Sequence, residues 1–321
     1  MTLDRIAAVA TLALLLPASA ASAAHPAHHP KAGNESNHAA GQAAHDDRDL
    51  GELFVGTANL SADWRTDETH RYVKADGLPS HQPGQFPNRG NPNTIRSQSY
   101  SFRMPLEPSK AREPIDAGGM PFGIATSGVV FDPGTAETWR GDPAWRYEAI
   151  TGGINLGLDA HHAHVQPTGA YHYHGMPTGL VKELKDKLDS PAMVLIGYAA
   201  DGFPIYAGQA HEHANDPQSP LINMKPSWRV KAGDRPGGPG GTHDGKFVAD
   251  WEFVDGLGDL DQCNGREGVT PEYPAGTYYY VVTEDYPFIP RYFRGEPDDS
   301  FKRRGPRGRA ASDSDRDKVK V

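Results

Sequence analysis

Short apolar runs separated by turn-forming residues fill the middle of the chain. Aromatic and β-branched residues are common in these runs, and Pro, Gly, Asn and Asp are common between them, a pattern typical of strands and their connections. The predicted strands are Leu53–Ala58, Ser97–Met104, Ile124–Asp132, Ala170–His174, Met193–Ala199, Lys246–Val254 and Thr277–Thr283. One segment differs, because Leu180, Leu184 and Leu188 recur every four residues among Lys and Glu before Pro191, which predicts an amphipathic helix. Residues 50–300 are therefore expected to form one mostly β domain, a loop-rich β-sandwich or barrel-like fold with one short amphipathic helix.

The amino terminus has the pattern of a secretory signal peptide. Arg5 precedes an apolar run from Ile6 to Leu16, and Ala21-Ser22-Ala23 forms a small-residue cleavage site. The run of 11 residues is shorter than the roughly 20 residues needed to cross a bilayer. We therefore predict a cleaved signal peptide over residues 1–23 and a secreted or periplasmic protein without a membrane span.

Two further segments lack apolar periodicity. Residues 24–49 contain five histidines, His25, His28, His29, His38 and His45, which predicts a disordered His-rich arm that either binds metal loosely or is only a solvated linker. Residues 301–321 carry eight Lys or Arg against three Asp, a net charge of +5, and are expected to form a disordered basic tail.

Composition excludes several classes of function. The single cysteine, Cys263, rules out an intrachain disulfide framework and a Cys-x-x-Cys zinc or redox motif. The net charge of −9 provides no basic surface for nucleic acid. Because the sequence has neither a phosphate-binding loop nor a dinucleotide fingerprint, no nucleotide cofactor is expected.

The segment with the strongest chemical signal is rich in histidine. Five of the 15 histidines lie between residues 161 and 174. Side chains alternate along a strand, so His172 and His174 are expected on one face, with Tyr171 and Tyr173 on the other. Two residues advance about 6.6 Å along a strand. Two imidazoles at that separation can lean toward one ion at N–metal distances of about 2.0–2.1 Å.

A turn at Pro167-Thr168-Gly169 would bring the preceding segment alongside this strand as a hairpin. His162 and His164 would then present one face and His161 the other. His164 is nearest the turn and is the preferred third ligand. The predicted metal ligands are thus His164, His172 and His174, with His161 or His162 nearby.

The identity of the ion and of the supporting residues is open at this point. Imidazole suits Zn and Cu alike, and nearby Tyr171 and Tyr173 would suit copper redox chemistry. Asp159 and Asp201 are candidates to orient a ligand histidine through a hydrogen bond. Cys263 is expected to be a buried, inert residue. If it instead joined His172 and His174, it would complete the His₂Cys set of a type-1 copper site.

Six segments resemble one known family. They are Gly128–Glu137, Ala163–Gly175, Ile196–Tyr206, Leu260–Arg266, Thr270–Tyr278 and Pro287–Phe293. In these motifs the sequence resembles the YHYH-domain proteins secreted by bacteria, and the resemblance extends over about residues 50–300. It implies an exported β-rich domain and no particular reaction. The family more often has Glu where this chain has Gln262, so a Glu ligand is not available there.

Two functional hypotheses follow from the sequence. The first is an exported protein that binds Zn or Cu through a histidine cluster and supports metal-dependent hydrolase or redox chemistry. The second is a non-catalytic secreted binding or surface module in which the histidines only hold loops together. The sequence identifies no catalytic residue, no substrate and no partner other than the metal ion.

Overall fold

The structure is a computed structural model and describes residues 62–302. The predicted signal peptide, the His-rich arm, the strand at Leu53–Ala58 and residues 303–321 lie outside the described residues. The strands are β1 Ala62–Thr66, β2 His70–Ala75, β3 Tyr100–Pro105, β4 Lys110–Asp116, β5 Gly123–Ala125, β6 Val130–Phe131, β7 Ala163–Val165, β8 Tyr171–Tyr173, β9 Leu195–Ala199, β10 Pro204–Ala207, β11 Gln209–His211, β12 Leu221–Asn223, β13 Trp228–Val230, β14 Trp251–Phe253, β15 Gly265–Gly268, β16 Thr277–Val282 and β17 Tyr292–Gly295. Helix α1 covers Thr178–Lys185, and short 3-10 helices cover Trp139–Gly141, Pro143–Trp145, Val248–Asp250 and Asp299–Phe301.

An eight-stranded mixed sheet forms the centre of the domain. Its strand order is β15-β16-β10-β9-β5-β6-β8-β7. The pairs β10–β16 and β6–β8 are parallel and the other pairs are antiparallel. Strands β9 and β10 are buried along their whole length, which explains why they read as continuous apolar runs rather than as alternating patterns. Strands β7 and β8 lie at one edge of this sheet.

A three-stranded antiparallel sheet, β1-β2-β3, packs against the same core. Its buried side chains alternate with exposed ones, as expected for a sheet with one covered face. Val73, Phe102 and Met104 point into the core cluster that contains the central strands. The prediction of a mostly β domain is confirmed. The sheets within residues 62–302 are open, so the architecture is sandwich-like rather than a closed barrel.

The predicted amphipathic helix is present but shorter than its leucine pattern. Leu180 is buried and Leu184 packs partly against the core, whereas Leu188 is exposed. The helix ends at Lys185 because the backbone N–H of Asp186 bonds to the carbonyls of Lys182 and Leu184, which closes the last turn. No helix within residues 62–302 is long and apolar enough to cross a membrane.

The packed domain extends into the segment predicted to be a tail. Phe301 is buried and stacks on Phe102 with ring centroids 4.2 Å apart. The last 3-10 helix is capped by the Asp298 side chain, which accepts the backbone N–H of Ser300. Stacked aromatic rings contribute about 0.5–1.5 kcal/mol beyond their buried area, so residues up to Phe301 stabilise the domain.

Candidate metal centre

The hairpin expected from the sequence is formed by β7 and β8. His164 lies directly opposite His172 in the antiparallel register. The turn is closed by backbone hydrogen bonds between Gln166 and Ala170 and between Gly169 and Gln166. Gly169 has a φ of 89°, a conformation that a side chain would disfavour. His174 follows two residues after His172, so the three imidazoles emerge on the same face of the sheet.

The three Nε2 atoms lie close together. The Nε2 atom of His174 lies 3.0 Å from the Nε2 atoms of both His172 and His164. One nitrogen from each ring lies within 4.8 Å of the others. In a tetrahedral site with N–metal distances of 2.0–2.1 Å, ligand nitrogens lie about 3.3 Å apart. His164, His172 and His174, named here the His triad, are therefore close enough to hold one ion after small side-chain adjustments that lengthen the two contacts of His174.

Hydrogen bonds fix the tautomers of two of these rings. The Nδ1 atom of His164 lies 2.9 Å from the carbonyl oxygen of Leu156, and the Nδ1 atom of His172 lies 3.1 Å from that of Ala170. A carbonyl only accepts, so Nδ1 carries the hydrogen in both neutral rings and each Nε2 presents a lone pair. A single proton on Nε2 of His174 can lie on only one of the two short Nε2–Nε2 contacts. Such an arrangement favours a cation.

Burial favours the neutral form of His164 and His174. The pKa of His174 is lowered well below its usual value, first by burial and then by the neighbouring His172 and His164. Burial also lowers the pKa of His164. A metal ion binds the unprotonated imidazole, so burial favours the form of these two rings that a metal ion would require.

The His triad faces a cavity of about 910 Å³. Both charged and aromatic side chains line this cavity, among them Asp116, Asp132, Glu137, Arg146, Arg291, Trp228, Trp251, Tyr286 and Tyr292. An ion held by the three imidazoles would keep a coordination position open toward this space, which is what distinguishes a catalytic site from a closed structural one.

A scan against protein-family models matches the model described as YHYH protein over residues 101–295, more than half of the chain. The chain belongs to the YHYH protein family. The resemblance found in the sequence is thereby confirmed. Comparisons with curated proteins and with solved structures give no significant match. In this YHYH protein the tetrapeptide Tyr171–His174 supplies two of the three imidazoles and both tyrosines of β8.

The tyrosines of the YHYH tetrapeptide lie on the opposite face from the His triad, as predicted. The hydroxyl of Tyr171 donates to the Asp159 carboxylate at 2.7 Å, and the hydroxyl of Tyr173 lies 2.8 Å from Nε2 of His81. Asp159 also accepts the backbone N–H groups of His161 and Ala163. Asp159 therefore shapes the turn before β7 and does not contact a ring of the His triad through any of these bonds.

His161 and His162 lie outside the His triad. The ring nitrogens of His161 contact the Thr178 hydroxyl at 2.7 Å and the Gln82 carbonyl at 3.0 Å. His162 has a φ of 54°, and its Nδ1 atom lies 3.0 Å from the carbonyl of Met176. This left-handed residue precedes the first residue of β7, so the strand alternation does not include it. The expectation that His162 shares a face with His164 is wrong for that reason.

Asp201 and Cys263 belong to a different buried region. Asp201 accepts the hydroxyl of Tyr280 at 2.5 Å and the backbone N–H of Gly295 at 2.8 Å. Cys263 is fully buried, and burial followed by the charge of Asp261 raises the pKa of its thiol. Within residues 62–302, the group of potential ligands that the YHYH protein brings together contains neither residue. The His₂Cys set is therefore not formed.

Burial of Asp201 predicts a pH-dependent stability. Burial raises the pKa of Asp201 to about 6 from its usual 3.8, against the opposing hydrogen bond from Tyr280. The folded protein then holds a proton that the unfolded chain releases between about pH 4 and pH 6, so the free energy of unfolding falls as pH rises through this window. At about 1.4 kcal/mol per pKa unit, protonation of Asp201 contributes about 3 kcal/mol to the free energy of unfolding at low pH.

Chemical denaturation from pH 4 to pH 7 should show a weaker decline in the free energy of unfolding for Asp201→Asn than for the wild type. The control Asp189→Asn, at an exposed residue, should follow the wild type. Identical slopes for Asp201→Asn and the wild type would contradict this origin.

Several cavity residues have no local sequence pattern that predicts their place in the site. Arg291 pairs with the fully buried carboxylate of Glu148. Asp132 is 4% exposed and accepts the side-chain amide of Gln166 at 3.3 Å. Asp132 and Arg291 lie in segments that carry the family resemblance, and nothing else in the sequence indicates a role for them in the site. The parallel pairing of β6 with β8 brings Asp132 near the His triad, and Arg291 lies in the segment immediately before β17.

Proposed function

We propose that this YHYH protein is exported and binds one transition-metal ion, Zn or Cu, through His164, His172 and His174. The convergence of three Nε2 atoms carries the proposal, because carbonyl partners hold the lone pairs of His164 and His172 toward one point. Neutral lone pairs facing one another repel unless a proton or a cation lies between them. One metal ion near the three Nε2 atoms can accept a lone pair from each ring.

The cavity beside the His triad supports a chemical role rather than a purely structural one. A bound Zn ion would lower the pKa of a coordinated water to about 7 and support hydrolysis, whereas Cu would support electron transfer. Asp132 and Glu137 line the same cavity. In this proposal their carboxylates accept a proton from a substrate or from water.

Metal analysis tests the proposal directly. The full chain is stripped with a chelator, dialysed against Zn or Cu and analysed for metal per chain. The matched variant carries His164→Ala, His172→Ala and His174→Ala together, and its arm of five histidines is unchanged. We expect the wild type to retain about one more equivalent of metal than this variant. Equal metal contents would overturn the proposal.

Export is tested separately by the amino-terminal sequence of the protein recovered from the periplasm or medium. Cleavage after Ala23 predicts a mature protein that begins at Ala24. Recovery of the intact chain starting at Met1 in the cytoplasm alone would contradict this part of the proposal.

A further inference from the structure

The cavity next to the His triad has one aromatic wall. Trp251 stacks on Tyr286 with ring centroids 4.2 Å apart and an interplanar angle of 4°, and Trp228 lies over Tyr292 at 6.1 Å and 13°. The indole N–H groups of Trp228 and Trp251 donate to the backbone carbonyls of Gln262 and Gly245. Because both indole donors are used, the two tryptophans contribute mainly aromatic carbon to the lining of the cavity. Such a surface suits a flat apolar group.

A cation lies beside this wall. The guanidinium carbon of Arg291 is 5.4 Å from the centroid of the Tyr286 ring. Its Nη2 atom bonds to Glu148, while its Nε atom is buried without a hydrogen-bond partner among the described residues. A guanidinium has five N–H donors, so Arg291 retains donor capacity beyond its pair with Glu148. Arg291 lines the same cavity as the three rings of the His triad.

We infer that the cavity binds a small aromatic carboxylate. Its ring lies against Trp228 and Tyr292, and its carboxylate lies between Arg291 and the metal position at the His triad. The metal ion in this arrangement rests on the proposed function, whereas the ligand is inferred from the aromatic wall and Arg291. The cavity volume of about 910 Å³ lies within the usual range of roughly 300–1,000 Å³ for small-molecule sites.

The charges of the site favour a carboxylate over other groups. Three neutral imidazoles leave the positive charge of a bound ion uncompensated, and a guanidinium binds a planar carboxylate in a bidentate manner. The cavity also contains Asp116, Asp132 and Glu137, whose negative charges oppose a dianion such as phosphate. A singly charged group attached to a flat ring therefore matches both the positive charges at Arg291 and the metal position and the aromatic wall.

Four simple probes test this ligand chemistry on the full chain. Benzoate has both features, acetate lacks the ring, benzyl alcohol lacks the charge, and inorganic phosphate is the competing oxyanion. Binding is measured by calorimetry and by quenching of tryptophan fluorescence, in chelator-stripped and in Zn-loaded protein. We expect benzoate to bind at least tenfold more tightly than each of the other three to the Zn-loaded protein. Equal binding of phosphate, acetate or benzyl alcohol would overturn the inference.

Variants separate the contribution of Arg291 from that of the aromatic wall. Arg291→Gln is made together with Glu148→Gln, so that no buried charge is left unpaired. This pair should weaken benzoate at least tenfold and benzyl alcohol less than twofold, whereas Trp228→Leu should weaken both. Arg229→Gln, at an exposed arginine paired with Glu252, is the control and should change neither. Unchanged benzoate affinity in the Arg291 or Trp228 variants contradicts the inference, and the probe series on the wild type decides it if a variant does not fold.

The outcomes distinguish the ligand from the metal. If Zn binds at the His triad but benzoate shows no preference over the other probes, the inference fails and the proposed function stands. If no Zn binds but benzoate binds the stripped protein in a manner that depends on Arg291, the metal proposal fails and the aromatic-carboxylate site stands.

Discussion

Replacing His172 with alanine is expected to raise the Kd for Zn at least 100-fold. His172 lies on β8 directly opposite His164, and its Nε2 atom lies 3.0 Å from that of His174. Its removal reduces three converging nitrogens to two. A 100-fold change corresponds to about 2.7 kcal/mol of binding free energy. Competition with a chromogenic chelator on the full chain measures this change.

His161→Ala is the matched control for His172→Ala. His161 lies in the same histidine-rich stretch, but its ring is held by Thr178 and the Gln82 carbonyl on the other side of the hairpin. We expect its Kd for Zn to change less than threefold. Similar losses in both variants would show that the stretch binds metal without the geometry of the His triad.

The same Zn titration discriminates between a metal site and a structural histidine cluster. A ligand that binds only the folded state at 100 times its Kd stabilises the protein by about 2.7 kcal/mol. The wild type should therefore unfold at a higher temperature with Zn than with chelator, and the His172→Ala variant should lose most of this difference. A wild-type melting temperature that is the same with Zn and with chelator would favour the module whose histidines only hold loops together.

The triad was predictable because every signal for it is local. Strand alternation places His172 and His174 on one face, and the turn containing Gly169 brings His164 opposite His172. These interactions all fall within eleven residues of the chain. The direction of the His162 side chain could not be predicted, because the left-handed φ of 54° at this residue interrupts the strand alternation that the prediction assumed.

The rest of the cavity was not predictable, because it is assembled from distant parts of the chain. Asp132 reaches the His triad through the parallel pairing of β6 with β8. Trp228 and Arg291 come from segments more than 50 residues beyond His174. A single sequence does not specify which distant strands pair, so their residue types gave no sign of a shared site. Similarly, seven predicted strands identified a β-rich domain but not the order of the central sheet.

The wall of the cavity depends on a buried ion pair, and its removal should strongly destabilise the domain. The Asp250 carboxylate is fully buried and accepts Nε and Nη2 of Arg235 at 2.8 and 2.6 Å, together with the backbone N–H of Gly245 at 3.1 Å. Asp250 immediately precedes Trp251, which lines the cavity. Asp250→Ala leaves the Arg235 guanidinium, itself 4% exposed, buried with a weaker partner. Breaking such a pair costs about 3–5 kcal/mol.

Asp244→Ala provides the matched comparison, because Asp244 bonds to the same guanidinium from a side chain that is 45% exposed. An ion pair that water can reach contributes about 0–1 kcal/mol, so this variant should lose less than about 1 kcal/mol in chemical denaturation, against several kcal/mol for Asp250→Ala. If both variants lost the same free energy of unfolding, burial of the Asp250 carboxylate would not be the cause of the loss.

If Asp250→Ala remains folded, it also tests the inferred ligand site. Benzoate affinity should fall with the displacement of Trp251, while Zn affinity at the His triad, which lies on the separate β7–β8 hairpin, should remain within a few-fold of the wild type.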